Sequence, residues 1–340
     1  MPVTMKDIAE AAQISRPTVS LILNGRADDL RISEHTRNRV LDIAGRLGYR
    51  RNELAKSVKT GKTNIIGFIG GLTEEYEMRV IKGINDGLSD HNYLLKMFGV
   101  KNEPEHIARL ARQCVEQMVA GVICRALNKN DLTILLKELT PHNIPVVLVD
   151  NSFSTPCCGR IISDDAAGTA AAVKYLFELG HRHIAHLSHV QESGFVSLRR
   201  QGFVKGMKSC GLSCSEDNFF TIDNIREVTP AMPAEFDRMW RDFHPTAVVC
   251  VSDPVALKLL QWGYMRQLRV PDDFSLIGFA DLGLALYSSP ALTTIAQPFW
   301  EMGKHAAARV LAMLNGAPPE DETVPVKLVE RNSVASPKQH

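Results

Sequence analysis

Apolar positions along the 340-residue chain follow two regimes. The first fifty residues carry three short helical periods and the tract around Lys59 to Asn64 carries no strong period. Beyond it, brief apolar runs alternate with helix-length stretches. Ile8, Ala9 and Ala12 share one face of a first helix, which Thr4-Met5-Lys6-Asp7 opens with capping-box spacing, hydroxyl and carboxylate each satisfying the other's free backbone donor. Ser15 is the cap of a second helix, with Ile14 and Val19 at the spacing of a hydrophobic staple and Pro17 in the first turn, where its missing N–H is harmless. On a 100° wheel Val19, Ile22 and Leu23 fall on one side, and Arg16, Pro17, Ser20, Leu21 and Asn24 on the other. A third helix, capped at Ser33, brings Val40, Ile43, Ala44 and Leu47 to the core and ends at Gly48. Only Gln13 to Ser15 separate the first two helices, the connection of a helix-turn-helix whose second helix enters a major groove.

In the remainder, Ile65 to Ile69, Gly121 to Cys124, Val146 to Val149, Ile184 to Leu187, Ala247 to Val251 and Ser275 to Phe279 have the length of buried strands. Helix candidates lie between them: Tyr76 to Asp90, Glu103 to Gln117, Ala166 to Leu179, Leu198 to Cys210 and Pro254 to Gln267. Strands so spaced need crossover helices, which predicts parallel sheets. About a dozen strands is too many for one doubly wound sheet, and the pattern restarts near Ile161, so two similar lobes are expected with a cleft at the carboxyl ends of their strands.

Composition adds limits. A hydrophobic fraction of 45% with 23% charge describes a globular chain and leaves little room for disorder. No apolar run reaches the ~18 residues of a membrane helix, and Lys6 and Asp7 interrupt the start where a signal peptide needs apolar residues, so a cytoplasmic location is expected. Seven cysteines follow no zinc or disulfide spacing and read as reduced thiols. The net charge of +1 hides an asymmetry: residues 1 to 62 hold 12 basic and 7 acidic groups, whereas the rest holds 27 and 31. Basic charge is confined to the end that carries the helix-turn-helix.

The segment Val3-Thr4-Met5-Lys6-Asp7-Ile8-Ala9, then Ile14-Ser15, Thr18-Val19-Ser20 and Asn24-Gly25, closely resembles the DNA-binding head of the lactose-repressor (LacI/GalR) family. Matches continue through Thr36-Arg37, Leu47-Gly48-Tyr49, Asn52, Ile66-Gly67, Leu179-Gly180-His181-Arg182, Arg199, Gly202-Phe203, Val270-Pro271, Ile277-Gly278-Phe279, Pro290 to Ile295 and Gln297-Pro298. The resemblance implies a small all-α head and an α/β body of two periplasmic-binding-protein-like lobes with parallel sheets, crossed three times by the chain. It implies a homodimer on a near-palindromic operator, and the lack of leucine heptads near the C-terminus favours a dimer over a tetramer. The expected organisation is a DNA-binding domain over 1–50, a hinge helix and linker over 51–63, and an effector-binding and dimerisation body over 64–340. Within the body, one lobe takes about 64–161 and 295–322, the other about 162–294 and 323–334.

The expected DNA contacts divide by chemistry. Thr4, Ser20 and Asn24 suit phosphate, and Arg16, with five donors, suits a guanine edge. Pro17 and Thr18 flank Arg16, and Tyr49 and Asn52 follow the third helix. Leu21 stands where the family often has Arg and meets a thymine methyl instead, while the loop before Ser33 is about three residues longer than usual and keeps Arg31 for phosphate. By resemblance, Glu53 to Lys59 form a hinge helix that folds only on the operator, with Ala55 and Lys56 in contact and Val58 in the place of the usual groove-wedging Leu.

The resemblance assigns Thr73, Tyr76, Asp150, Phe153, Arg199, Ser252, Asp253, Asp281 and Phe299 to the effector cleft, with Arg199 forking two ligand oxygens or, otherwise, bridging the lobes. Ala280 replaces an Asp that many relatives use for ligand hydroxyls. Phe195, Pro254 and the loop Gly70 to Glu75 also depart from the sugar-binding pattern, which leaves a plain sugar, a phosphosugar and a nucleobase open. His181, His183, His186 and His189 do not share one strand face and read as no metal site. Gly61-Lys62-Thr63 lacks the upstream glycine of a phosphate loop, and no nucleophile–base pair stands out, so neither cofactor nor catalysis is expected. The competing reading is a solute-binding or sugar-processing protein that uses the same body without DNA.

Overall fold

The computed structural model describes residues 3–23, 32–50, 61–100, 105–125, 128–151, 153–189, 194–222 and 234–338. The chain divides into two compact units, Met1–Thr63 and Asn64–His340.

The head consists of α1 (Met5–Ala12), α2 (Arg16–Leu23) and α3 (Glu34–Arg46). Its first capping box is formed: Asp7 Oδ2 accepts from the Thr4 amide at 2.7 Å, and the Asp7 amide reaches Thr4 Oγ1 at 3.5 Å. Ser15 and Ser33 accept from the amides of Thr18 and Thr36 in the same way. Ile8, Ala9, Ala12, Val19, Ile22, Val40 and Ala44 make the buried core, and Arg39 ties α3 to α1 through a 2.5 Å bond to the Ala12 carbonyl. Leu47 departs from expectation. It is the C-cap residue, past the last full turn, and 41% exposed, and Tyr49 packs against the core instead. Gly48 follows at φ +67, which a side chain would resist.

In the body, β1 (Ile65–Gly70), α4 (Glu75–Ser89), β2 (Leu94–Gly99), α5 (His106–Glu116), β3 (Gly121–Arg125), α6 (Lys129–Leu139), β4 (Val146–Val149) and β5 (Cys158–Ser163) build the first lobe. The second comprises α7 (Asp165–Glu178), β6 (Ile184–His189), α8 (Gly194–Ser209), β7 (Phe219–Ile222), α9 (Ala234–Arg238), β8 (Ala247–Cys250), α10 (Asp253–Met265), β9 (Ser275–Ala280), α11 (Gly283–Tyr287) and β10 (Thr293–Ala296). The chain then returns as α12 (Phe299–Leu314) and β11 (Asp321–Val324) to the first lobe and ends with β12 (Lys327–Val329) in the second.

The sheets share one winding, β11-β5-β4-β3-β1-β2 and β12-β10-β9-β8-β6-β7. Every pair is parallel except β10 with β12. Two residues alone link β11 to β12, too few for a crossover helix, so the last strand enters the second sheet antiparallel, one exception within the expected parallel sheets. Three crossings join the lobes, after β5, β10 and β11, each strand running two residues past the boundary read from the sequence. Close helix pairs brace both lobes. A Cβ at Gly83 of α4 would lie 2.0 Å from the Trp300 carbonyl of α12, and one at Gly202 of α8 would lie 2.3 Å from the Ala166 carbonyl of α7.

Candidate functional site

In the head, burial of Val19 and Ile22 fixes the rotation of α2 and leaves Arg16 and Pro17 exposed on its first turn, with Thr18, Ser20 and Leu21 half-buried beside them. Some hydroxyls in this region already have duties. Thr18 Oγ1 is 2.8 Å from Ser15 Oγ, and Thr4 Oγ1 donates to Asp7. Tyr49 is half-buried against the head core. Asn24, Arg31, Asn52, Ala55, Lys56 and Val58 lie outside the described residues.

In the body, the strand ends of both sheets carry the polar groups, where open α/β sheets place their ligands. Arg199 on α8 is 4% exposed and thoroughly committed: Nε donates to Asp165 at 2.8 Å, Nη1 to the Val251 carbonyl at 2.5 Å and Nη2 to Gln297 at 3.0 Å. Its guanidinium lies over Phe279 at 3.7 Å and Phe195 at 4.7 Å. Burial raises the Asp165 carboxyl above the ordinary range, Arg199 opposes the shift and Asp150 adds to it. Ser163 donates to Asp165 at 2.5 Å and accepts from Gln297 at 2.8 Å, which ties the first crossing to the second.

A second arginine, Arg125, closes the other side. It ends β3, donates to Asp150 at 2.6 Å, stands 3.6 Å from Glu77 and lies over the Tyr76 ring at 4.2 Å. Tyr76 in turn meets Phe299 at 5.8 Å between centroids, and burial raises its hydroxyl pKa while Arg125 opposes. Asp150, at φ +57, lines a small pocket together with Asn151, Ser163, Asp165 and Phe195.

The other expected cleft residues are scattered. Asp253 is 0% exposed, with Thr294 Oγ1 donating to it at 2.5 Å and the Leu282 amide at 2.8 Å. It is a strut between β10 and the loop after β9, its carboxyl raised by burial, and the structure corrects its expected contact with a ligand. Asp281 accepts from Arg331 at 2.6 Å, Ser252 is the half-buried N-cap of α10, Thr73 is exposed and Phe153 packs on the outer core of the first lobe. Phe299 is 3% exposed inside the inner core of that lobe. Ala280 joins this core from the second lobe at φ +117, so the usual Asp position makes an apolar lobe-to-lobe contact here. Nearby, Arg79 donates to the Asp281 carbonyl at 2.9 Å and the Gly283 amide to Glu75 at 2.9 Å, which links α4 to the loop before α11.

Arg125, Glu77, Asn151 and Asp165 were not singled out from sequence, and Gln297 was noted only as part of a family match. Arg125 had a readable signal, a charge ending an apolar run at the carboxyl end of a strand; Asp165 and Asn151 have positions that only folding reveals. His181 is buried between Thr246 and the Ala335 carbonyl, and burial lowers the His186 pKa to about 4. No group of three metal-binding side chains occurs among the described residues.

Comparison with known proteins follows the same division. Residues 4–52 match the model of the bacterial regulatory proteins of the lacI family, and residues 173–334 match the periplasmic binding protein-like domain. The chain is 32% identical over 306 residues to the transcriptional repressor PurR of Vibrio vulnificus, 89% of either protein. It is 27% identical over 333 residues to the probable repressor ExuR of Bacillus subtilis, covering 96% of this chain and 95% of that protein. Among solved structures, the lac repressor dimer bound to operator and the anti-inducer ONPF matches with a TM-score of 0.80 at 25% identity, over 98% of this chain and 100% of that one.

Proposed function

The chain belongs to the lacI family of bacterial regulatory proteins and is a DNA-binding transcriptional repressor with an effector-binding body; from that premise we propose how its residues divide the work. Arg16 reads a base edge, Leu21 meets a thymine methyl, and Thr4, Pro17, Thr18, Ser20 and Tyr49 seat the head on the backbone. The observation that carries this is the exposed Arg16 turn on a helix whose opposite face is locked by Val19 and Ile22. Asn24, Arg31, Asn52, Ala55, Lys56 and Val58 enter the reading on sequence alone, with 51–63 as the hinge through which the body acts on the head.

The body binds a small sugar-like metabolite between its lobes and performs no chemistry on it. Asp150, Arg199, Tyr76 and Phe299 shape the site, and α4 with the loop before α11 holds the lobes together. The chain works as a cytoplasmic homodimer. In support, the edge strand β2 exposes Leu94 at 65% and Met97 at 51%, apolar groups on an open edge that a second copy would cover. With the head matched to DNA-binding proteins, a body acting without DNA no longer competes.

Selection of duplexes from a random pool by the full chain tests the proposal. Enrichment of two inverted half-sites is expected, with affinity falling steeply as salt rises because neutralised phosphates release counterions. A pool without enrichment, or binding indifferent to salt, overturns it.

A further inference from the structure

The two lobes of the body are tied in two different ways. At the crossings, Arg199, Asp165, Ser163 and Gln297 bond one another out of reach of water, Arg199 being 4% exposed and Asp165 2%. The other tie joins α4 to the loop 280–283 and stands partly in water, with 43% of the Glu75 side chain and 39% of the Arg79 side chain exposed. It spans the carboxyl ends of β1 and β9, and β1 lies three strands from β5, the strand that leads into the first crossing.

Each half of this tie sets a charged group on a backbone atom. Both carboxylate oxygens of Glu75 accept from the Gly283 amide, at 2.9 and 3.1 Å, and Arg79 Nη1 donates to the Asp281 carbonyl at 2.9 Å. Arg79 Nη2 also donates to Glu75 at 2.5 Å, so the two side chains, one turn apart on α4, act as a pair. From its own lobe the loop is gripped by Asp253, which accepts from the Leu282 amide at 2.8 Å, and by Arg331, which donates to Asp281 Oδ1 at 2.6 Å. Between these grips Ala280 and Asp281 hold φ of +117 and +55, a region that side chains resist. Backbone kept there by contacts on both sides relaxes when one side lets go, which is the behaviour of a switch segment.

Resting on the reading of the body as the sensor that acts on the head, we propose that Glu75 and Arg79 are a releasable latch. They hold the loop 280–283 against the first lobe, and breaking that hold is the step by which the lobes part and the head is informed. The crossings serve as the hinge, because removing one partner of a buried ion pair strands the other without water. The latch is the part that opens, because water replaces half-exposed charged groups at little loss. The Gly283 amide is free for this duty: Gly283 is the first residue of α11, where an N–H has no partner inside the helix.

Hydrogen exchange of the full chain, read by mass spectrometry over residues 280–287, tests the latch together with affinity for the duplex enriched by the selection above. Glu75→Gln keeps the shape and removes the charge, Arg79→Met keeps the stem and removes the donors, and Gly283→Pro deletes the amide at a helical position that tolerates proline. Leu282, at φ −74 and ψ 156, already has the extended backbone that a residue before proline needs. Each variant is expected to speed exchange about fivefold or more and to shift operator affinity about threefold or more, all in one direction. Glu75→Gln and Gly283→Pro combined should do no more than either alone, since both break the same bond. Melting curves identify a variant that fails to fold, and the two substitutions on α4 then decide. Exchange unchanged in Glu75→Gln and Arg79→Met overturns the latch, and additive effects of Glu75→Gln and Gly283→Pro overturn the pairing of those two residues. Faster exchange with operator affinity unmoved overturns the role as a switch. If the selection enriches no duplex, the reading of the head and the transmission to it fall together, whereas exchange still decides whether the latch holds the lobes.

Discussion

Head and body expose their chemistry in opposite ways. In the head, Arg16 and Pro17 project from a helix whose stability is secured on its far side by Val19 and Ile22, and the core does not depend on them. In the body, Arg199 carries three hydrogen bonds and two ring contacts inside the fold, and Arg125 carries a buried ion pair and a Tyr76 ring. The proposed reading surface can therefore change without unfolding the head, whereas the proposed sensing site is part of the framework that keeps the lobes in place. Recognition can drift between operators more freely than the cleft can drift between ligands.

The sharpest way to break that contrast is to remove Arg199. Arg199→Leu leaves Asp165 buried without its cation and frees the Val251 carbonyl and Gln297, and loss of about 3–5 kcal/mol of stability is expected by denaturant titration. The pH sign is fixed by Asp165. Its folded pKa is raised, so its contribution favours the fold fully below the unfolded value of 3.8 and is lost as pH rises through the raised value. The deficit of the variant should shrink as pH falls toward 3.8. A variant as stable as the parent, with effector binding alone affected, would put Arg199 in the same category as the head residues.

Arg16→Ala probes the other side. Melting should stay within about 0.5 kcal/mol of the parent, while operator affinity falls by about 1–3 kcal/mol and one base position becomes permissive. Equal loss on every sequence would reassign Arg16 to phosphate. A lowered melting point would erase the contrast itself.

The same contrast explains what could be read from the chain. Periodicity located α1, α2 and α3 because each helix buries one stripe, and it located β4 and β8 because both their faces are buried. It missed β2 and β11, edge strands with exposed or charged side chains such as Leu94, Met97, Asp321 and Glu322, whose existence depends on a neighbouring strand. Leu47 fitted the stripe of α3 and still emerged to solvent because the helix ended beneath it. In the cleft, resemblance pointed to Arg199 and Asp150, but it could not show that Asp253 is fully enclosed or that Arg125 and Asn151 retain unspent donors, since those facts arise from long-range partners.

The smallest effect concerns how the head holds its first turn. Thr4 and Asp7 satisfy each other's backbone donors at the start of α1, and both side chains of that box are exposed. The Asp7 pKa is lowered, first by the Thr4 amide, then by the Thr4 hydroxyl and less by Lys6. A depressed carboxylate stabilises the fold above its unfolded value of 3.8 and loses that contribution as pH falls through the folded value. Thr4→Ala should cost about 1 kcal/mol, the usual worth of an N-cap hydroxyl. Asp7→Asn should speed amide exchange in α1 at neutral pH, measured against the parent by mass spectrometry. That difference should close once pH drops well below 3.8, when the parent carboxyl also loses its charge. A difference that persists unchanged at low pH would show that the shape of the side chain, and not its charge, holds the turn, and would make even this corner of the head depend on packing, as the body does.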